Sequence, residues 1–281
     1  MNIKRPSGSA KAAATQGSKN GVAGAQSIHR ATAILRAVAS RGRDGARLVD
    51  VARQCELDKS TAHRILKCLA ADGMVIHDPD TPCYRLGDLA FELGLVAVPK
   101  FDMRQLCEPA LLRLAKRTGD TVFLSVRSGL DTVCMDRKEG SFPIKVFTLD
   151  VGTRRPLGMG ADGLALLLPL SDDEATEIVR SNARRIADHG NLKVSVVLDM
   201  LKRSRALGFA LNDRHTTSEA IALGLAITRP HGGAYGAISI GAIASCMLPE
   251  RVPEVAALLK TEVRALEKAL SSGKVRFKPA I

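Results

Sequence analysis

Six residues in the middle of the chain, from Gly158 to Gly163, read GMGADG and fit the G-x-G-x-x-G pattern of dinucleotide-binding loops. Such a loop needs a strand directly before the glycines, a helix after them within a βαβ unit, and an acidic residue about twenty positions on for the ribose. Pro156 stands where the strand should end, and Asn182 occupies the position nineteen beyond Gly163. The flanking sequence therefore does not fit a dinucleotide-binding loop, and we expect no dinucleotide or other cofactor.

Other catalytic and metal-binding patterns are missing from the sequence. Neither His215 nor His231 begins an H-E-x-x-H spacing, and no G-x-S-x-G elbow occurs. The cysteines are far apart and form no C-x-x-C pair, which indicates reduced thiols in a cytoplasmic protein; they are Cys55, Cys68, Cys83, Cys107, Cys134 and Cys246. We therefore expect no catalytic residues, no bound metal and no enzymatic activity.

The residues after Leu57 have a composition that suits contact with DNA. In the stretch DKSTAHRILKCL, apolar residues recur at helical spacing and predict a buried stripe of Ala62, Ile65, Leu66 and Leu69, with Asp58 as the cap. Polar and basic residues are left on the opposite face, where they can enter a major groove. The candidate DNA-contacting residues are Lys59, Ser60, Thr61, His63, Arg64 and Lys67.

The elements that position this face can be predicted from the flanking sequence. A first helix is expected from an N-cap at Ser27 to Arg41-Gly42, and a second helix over 48–55. After Gly73, the segments 74–77 and 83–86 flank a turn-forming stretch and predict a hairpin. Helices followed by a hairpin constitute a winged helix-turn-helix.

The distribution of charge supports a polyanionic partner. The formal net charge is +12, and residues 1–86 carry 14 Lys and Arg against 7 Asp and Glu. Residues 1–26 lack acidic side chains and hydrophobic periodicity, so we expect a disordered basic arm, although an organellar transit peptide would share this composition. No apolar run approaches the roughly 20 residues of a membrane helix, which predicts a soluble protein with no membrane partner.

From Ser27 onward the chain resembles the IclR family of bacterial transcriptional regulators. In collinear order, the motifs that carry the resemblance are SIHRATAILRAVA, DKSTAHRILKCLAADGMV, YRLG, EPALLRLAKRTGDTVFLSV, VGTRRPLGMGADGLALL, LKRSRALGFALND and GAISIGA. The resemblance implies an α+β chain with an N-terminal winged helix-turn-helix, a linker helix and a C-terminal GAF-like effector-binding domain, whose antiparallel curved sheet is flanked by helices.

The domain boundaries follow from this resemblance and from the residue patterns. We expect an arm at 1–26, the DNA-binding domain at 27–87, the linker helix at 88–100, the effector domain at 101–272 and a tail at 273–281. Within the effector domain, strands are expected at 122–127, 132–137, 144–148, 220–228 and 234–240, and helices at 103–116, 195–206 and 253–270.

The family's ligand contacts fall on a defined set of residues in this sequence. They are Gly160, Ala161 and Asp162 at a helix start, Asn212 after the strand start at Gly208-Phe209, Ala222 on the next strand, and Ser239 with Gly241 on the last. Members that bind small 2-oxo acids carry Asp, Cys and Ser where Asn212, Ala222 and Gly241 stand, and Lys is usual where Leu164 stands. These differences imply a wider, less polar site that suits a larger organic acid, such as an aromatic one. Asp162 is expected to point outward or to satisfy the helix start itself, and Asp213 is an alternative to Asn212.

The implied function is effector-modulated binding of double-stranded DNA at a pseudo-palindromic operator by a homodimer or tetramer. Effector binding favours one subunit arrangement, and the linker helix converts it into a changed spacing of recognition helices. One alternative is a DNA-binding module fused to an enzymatic or nucleotide-binding domain. Another is a DNA-coating protein that binds by charge alone and has no sequence preference.

Overall fold

A computed structural model describes residues 25–97, 103–144, 149–188, 192–213, 219–230 and 232–272 of the chain. The fold is α+β, as predicted, with helices and strands mixed along the chain. Nearly all of the predicted arm, most of the strand expected at 144–148 and the tail at 273–281 lie outside the described residues.

The N-terminal part of the chain forms the predicted winged helix-turn-helix. Its elements are α1 (Gln26–Ala39), a 3-10 turn (Gly42–Asp44), β1 (Ala46–Arg47), α2 (Leu48–Gln54), α3 (Lys59–Ala71), β2 (Val75–His77) and β3 (Cys83–Leu86). The strands pair antiparallel in the order β1-β3-β2, so the expected hairpin is extended by one short strand. Ile34, Val38, Val51, Leu66 and Val75 are among the side chains buried between these elements.

The predicted N-cap of α1, Ser27, is wrong by two residues. The helix begins at Gln26 with Ala25 as the N-cap, and no side chain caps it, so Ser27 lies inside the first turn. Gln26 favours helical backbone, which lets the helix begin before the serine. Asp58 does occupy the N-cap position of α3, but its side chain makes no capping hydrogen bond.

One helix, α4 (Asp88–Ala97), leads away from the wing, where the linker helix was expected. None of the ten residues of α4 is buried, although Phe91, Leu95 and Val96 are large and apolar.

The C-terminal part of the chain is built on an antiparallel sheet of six strands in the order β6-β5-β4-β9-β8-β7. Its elements are α5 (Met103–Thr118), β4 (Thr121–Ser128), β5 (Asp131–Lys138), β6 (Arg154–Pro156), α6 (Gly160–Leu167), α7 (Asp172–Ser181), α8 (Ala183–Ala187), α9 (Val194–Leu207), β7 (Ala210–Asp213), β8 (Ala220–Thr228), β9 (Ala234–Ile243) and α10 (Val252–Ser271). Four of the five predicted strands are confirmed as β4, β5, β8 and β9, and the predicted helices as α5, α9 and α10.

The two faces of this sheet pack against different helices. One face carries Val122, Leu124 and Ile238 into a core with α5 and α10. The residues that alternate with these, such as Ala237, lie on the opposite face, where α6 and α9 complete a second core. Because strand residues alternate between faces, every other position of β4, β7, β8 and β9 is directed toward α6.

Candidate functional site

The candidate DNA-contacting surface lies on α3. Ser60, His63, Arg64 and Lys67 are exposed and share one face, while Ala62, Leu66 and Leu69 on the other side are buried. Lys59, the first residue of the helix, is also exposed, whereas Thr61 is half-buried and is the least accessible of the six predicted contacts. The buried stripe fixes the rotation of the helix, so the polar and basic face is presented to solvent.

The turn between α2 and α3 sets the angle at which this face is presented. Glu56 adopts a left-handed backbone conformation with φ of 54°, which is uncommon for a residue other than glycine. Directly after it, the N–H of Leu57 donates to the carbonyl of Ala52 at 2.9 Å and closes the turn. This tight connection holds α3 against α2.

The wing contributes less positive charge than the helix. Its tip, from Asp78 to Pro82, has two aspartates and no basic residue. The N–H of Asp80 donates to Asp78 at 2.9 Å and lowers the pKa of that carboxyl, and Arg85 lies 3.0 Å from Asp78. The tip of the wing therefore offers no positive charge for phosphate contact, whereas α3 carries Lys59, Arg64 and Lys67.

The predicted effector residues of the sheet come together on the face that packs against α6. Across the strands, Asn212 pairs with Ala222, and Ala222 pairs with Gly241. In the next row along the same face, Ser239 stands opposite Gly224 of β8 and Phe123 of β4. Residues that are distant in sequence thus form one continuous patch.

The start of α6 closes over this patch. A methyl group added at Gly224 would stand 2.3 Å from the carbonyl oxygen of Ala161, so the helix rests directly on the bare backbone of β8. All eight residues of α6 are buried, including Gly160, Ala161 and Asp162. Leu164, which stands where the family usually has a lysine, is fully buried and apolar.

Asp162 points inward, so the outward orientation considered from the sequence is wrong and the alternative is found. Its side chain is 3 % exposed, and its Oδ2 accepts a hydrogen bond of 2.8 Å from the hydroxyl of Ser125. The carboxylate also accepts from the backbone N–H groups of Asp162 and Gly163 at the helix start. Burial raises the pKa of the Asp162 carboxyl, while the nearby charge of Arg155 and these hydrogen bonds oppose the rise.

Gly160 makes room for this arrangement. It has a φ of +67°, and a methyl group there would stand 2.7 Å from Oδ1 of Asp162. The same methyl group would stand 3.9 Å from Nη1 of Arg155, so the guanidinium lies beside the start of α6. Burial lowers the pKa of Arg155, and the negative charge of Asp162 opposes this.

Sequence reasoning missed several polar residues of this face. Thr121 pairs with Gly241 in the row of Asn212 and Ala222, and its buried hydroxyl has no hydrogen-bond partner among the described residues. Ser125 and Arg155 also lie beside the start of α6, so the candidate site carries more polar groups than the substitutions suggested. The alternation of β4 places Thr121 and Ser125 on one face, but only the strand pairing brings them opposite β9.

The choice between Asn212 and Asp213 is decided by the register of β7. Asn212 is buried and pairs with Ala222. Asp213 instead forms an ion pair with Arg203 of α9, with oxygen-to-nitrogen distances of 2.6 and 2.7 Å. Asn212 is therefore the residue of this pair directed toward the site.

The structure also explains the GMGADG stretch. A short strand, β6, does end at Pro156, contrary to expectation, because an edge strand tolerates a proline that lacks an N–H. The strands described in this sheet nevertheless pair antiparallel, so β6 and α6 do not belong to a βαβ unit. Asn182, where the ribose-binding acid would fall, is fully buried and its Nδ2 donates to the carbonyl of Leu130 at 2.8 Å.

Neither a metal centre nor a membrane span is found in the described parts of the chain. Among these residues, His, Cys, Asp and Glu side chains do not gather in a group of three or more that could hold a metal ion. None of the described helices combines the length and the apolar character needed to cross a bilayer.

Comparisons with known proteins agree with this arrangement. Residues 27–79 match the IclR helix-turn-helix domain, and residues 96–268 match the family described as bacterial transcriptional regulator IclR C-terminal. The HTH-type transcriptional repressor AllR of Klebsiella pneumoniae is 27% identical over 248 residues, which are 88% of this chain and 90% of that protein. AllR of Escherichia coli K12 is 25% identical, covering 88% of this chain and 91% of its own length.

Solved structures share the fold at low sequence identity. A putative IclR-type regulator from Silicibacter sp. TM1040 superposes with a TM-score of 0.70 at 19% identity, covering 87% of this chain and 96% of that one. An IclR homologue from Microbacterium hydrocarbonoxydans, solved in complex with 4-hydroxybenzoate, gives 0.62 at 19% identity, covering 88% of this chain and 100% of that one.

Proposed function

Because the chain belongs to the IclR family of bacterial transcriptional regulators, with a helix-turn-helix DNA-binding domain and a C-terminal effector domain, we propose that an organic acid controls its binding to a specific operator. The operator is a pseudo-palindromic DNA duplex bound by a homodimer or tetramer. The protein acts in the cytoplasm as a sensor and not as an enzyme.

The observation that carries the DNA-binding part is the exposed face of α3. Arg64 and Lys67 project from a helix whose opposite side is locked into the core by Leu66 and Leu69. A helix held in this way can lie in a major groove, where Arg64 reads a base edge and its neighbours contact phosphates. Lys59, Ser60, Thr61, His63 and Lys67 complete the proposed contact set.

The effector site is proposed on the sheet face beneath the start of α6. Its contacts are Gly160, Ala161, Asp162, Asn212, Ala222, Ser239 and Gly241, supported by their common face and by the orphaned hydroxyl of Thr121. An unpartnered buried hydroxyl costs about 1–3 kcal/mol, which a polar group of a ligand would offset. Ala222 and Gly241 are smaller than the Cys and Ser that members binding small 2-oxo acids carry there, which favours a larger, aromatic body. The IclR homologue solved in complex with 4-hydroxybenzoate makes such acids the first candidates.

The carboxylate of the effector needs a partner other than the amides at the helix start. Asp162 already accepts hydrogen bonds from two of those N–H groups, and its charge would repel a second anion there. Arg155, beside the start of α6, supplies the opposite charge. We propose that Arg155 binds the carboxylate of the effector and that the hydroxyls of Ser239 and Thr121 donate hydrogen bonds to it.

The signal from this site reaches DNA through α4. Because no residue of α4 is buried, its apolar side chains can pack differently in two subunit arrangements. An effector that favours one arrangement shifts the spacing of the two α3 helices by its differential affinity.

The proposal is tested by measuring the affinity of the full chain for DNA upstream of its own gene, with and without aromatic acids. A saturable change in affinity for this DNA, absent for scrambled DNA, is the expected result. Equal affinity for both sequences, unaffected by any acid, would refute the proposal.

A further inference from the structure

A cavity lies at the opposite end of the C-terminal sheet from the proposed effector site. Its volume is about 350 Å³, and its walls include Arg127, Leu166, Leu170, Arg229, Ala234 and Tyr235. A cavity of this size falls within the range of small-molecule sites. None of the proposed effector contacts lines it.

The strand register separates this cavity from the effector site. Ser125 of β4 pairs with Ala237 of β9, and Arg127 and Tyr235 lie two residues further along these antiparallel strands. Thr121, in the effector row, is six residues from Arg127 on the same strand. At about 3.3 Å per residue, the two sites are roughly 20 Å apart along β4.

The charges around the cavity favour an anion. The guanidinium carbon of Arg229 lies 5.0 Å from the ring centroid of Tyr235, which holds it over the aromatic face. Arg127 supplies a second guanidinium, and Glu174 is 3.4 Å from it, with a side chain that is 51% exposed. Planar guanidiniums match the geometry of carboxylates, so two of them at one cavity suit a carboxylate ligand.

The remaining walls favour an apolar body on that anion. Leu166 and Leu170 come from the end of α6 and the loop after it, and Ala234 begins β9. Together with the ring of Tyr235 they form an apolar surface beside the two arginines. An inorganic anion would leave this surface unused.

We propose that this cavity is a second ligand site that binds a small planar carboxylic acid, with its carboxylate between Arg127 and Arg229. The apolar body of the acid packs against Leu166, Leu170 and the Tyr235 ring. This site is independent of the effector site, and it stands or falls separately from the proposed control of DNA binding.

The experiment uses benzoate as the probe and the full chain with the effector site filled by Ala222→Phe. Isothermal titration should show saturable binding of one benzoate per chain. Adding Arg229→Met, which removes the guanidinium at similar side-chain length, should weaken this binding about tenfold or more. The matched control is Arg264→Met, which removes an exposed charge on α10 and should leave the affinity unchanged.

Three outcomes would overturn the proposal: no saturable binding to the Ala222→Phe chain, equal loss in both arginine variants, or competition by inorganic phosphate at matched ionic strength. The last would show that charge alone is recognised. If Ala222→Phe does not fold, wild-type crystals soaked in 4-bromobenzoate decide the matter by the bromine anomalous signal. A peak between Arg127 and Leu170 supports the second site, and peaks confined to the face beneath the start of α6 overturn it.

Discussion

The hydroxyl of Ser125 in β4 donates a 2.8 Å hydrogen bond to Oδ2 of Asp162 in the first turn of α6. Both side chains are buried, so this contact joins the sheet to the helix that closes over the proposed effector face. It also places a carboxylate where the helix N-terminus would otherwise attract an anion. The pair therefore bears on the stability of the domain and on the position of the proposed acidic ligand.

The raised pKa of Asp162 gives stability a defined pH dependence. Because burial raises the pKa above its ordinary value of 3.8, the folded chain binds this proton more tightly than the unfolded chain does. The contribution of Asp162 is fully present below pH 3.8 and is lost as the pH rises through the folded pKa. We expect the free energy of unfolding of the wild type, minus that of Asp162→Asn, to fall as the pH is raised above 3.8. Urea unfolding at a series of pH values measures it.

The matched control for this prediction is Asp199→Asn, at an exposed position of α9. Its difference from the wild type should vary less with pH than that of Asp162→Asn. If the free energies of unfolding of the wild type and Asp162→Asn differ by the same amount at every pH, the raised pKa of this carboxyl is contradicted.

Filling the effector site should uncouple DNA binding from the ligand. Ala222 lies between Asn212 and Gly241 in one cross-strand row, so a phenyl ring there occupies the proposed ligand space. We expect aromatic acids to change the operator affinity of the wild type, and Ala222→Phe to bind operator equally well without responding. Mobility-shift titrations with each acid give both quantities.

Ala257→Phe, at an exposed position of α10, is the control and should respond like the wild type. Glyoxylate and pyruvate should have no effect, because they are too small to fill the site. A selective response to either of them, or a full response of Ala222→Phe, would show that the ligand site has been misplaced.

Arg64→Ala should weaken specific DNA binding by about 1–3 kcal/mol, because a bidentate contact to a base contributes that much discrimination. Gel shifts across a salt series separate the possible roles. A phosphate contact would instead weaken all sequences alike and lower the salt slope by about one. Lys116→Ala removes one exposed positive charge from α5 and is expected to change little. Unchanged operator affinity in Arg64→Ala would mean that α3 is not the recognition helix.

Deletion of residues 1–24, which stops short of the N-cap of α1 at Ala25, should reduce non-specific DNA affinity. This segment carries Lys4, Arg5, Lys11 and Lys19 and no acid, so it adds positive charge near the DNA-binding domain. We expect the melting temperature and the operator preference to remain unchanged, as scanning calorimetry and competition binding would show. A large fall in melting temperature would mean that the segment packs on the rest of the protein.

Sequence periodicity predicted α3 well because its stripe of Ala62, Leu66 and Leu69 depends only on local spacing. It failed for the cap at Ser27, where neighbouring residues also favour helix. It missed α7 although Ser171 accepts a capping hydrogen bond from the N–H of Glu174, a spacing visible in the sequence as S-D-D-E.

The effector face could be predicted only in part. The resemblance predicted Asn212, Ala222 and Gly241 as ligand contacts, and strand pairing puts them in one row. The orientation of Asp162 depends on the missing side chain at Gly160 and on a hydroxyl 37 residues away, neither of which periodicity reports. Contacts of this kind follow from the tertiary fold, which local spacing does not encode.

The most direct test of the account is selection of DNA by the full chain from a random duplex pool, followed by sequencing. We predict strong enrichment of one motif with two-fold symmetry and half-sites about one helical turn apart, as a dimer presenting two α3 helices requires. Recovery of DNA with no enriched motif, bound with the same affinity as the starting pool, would contradict sequence-specific regulation and leave binding by charge alone.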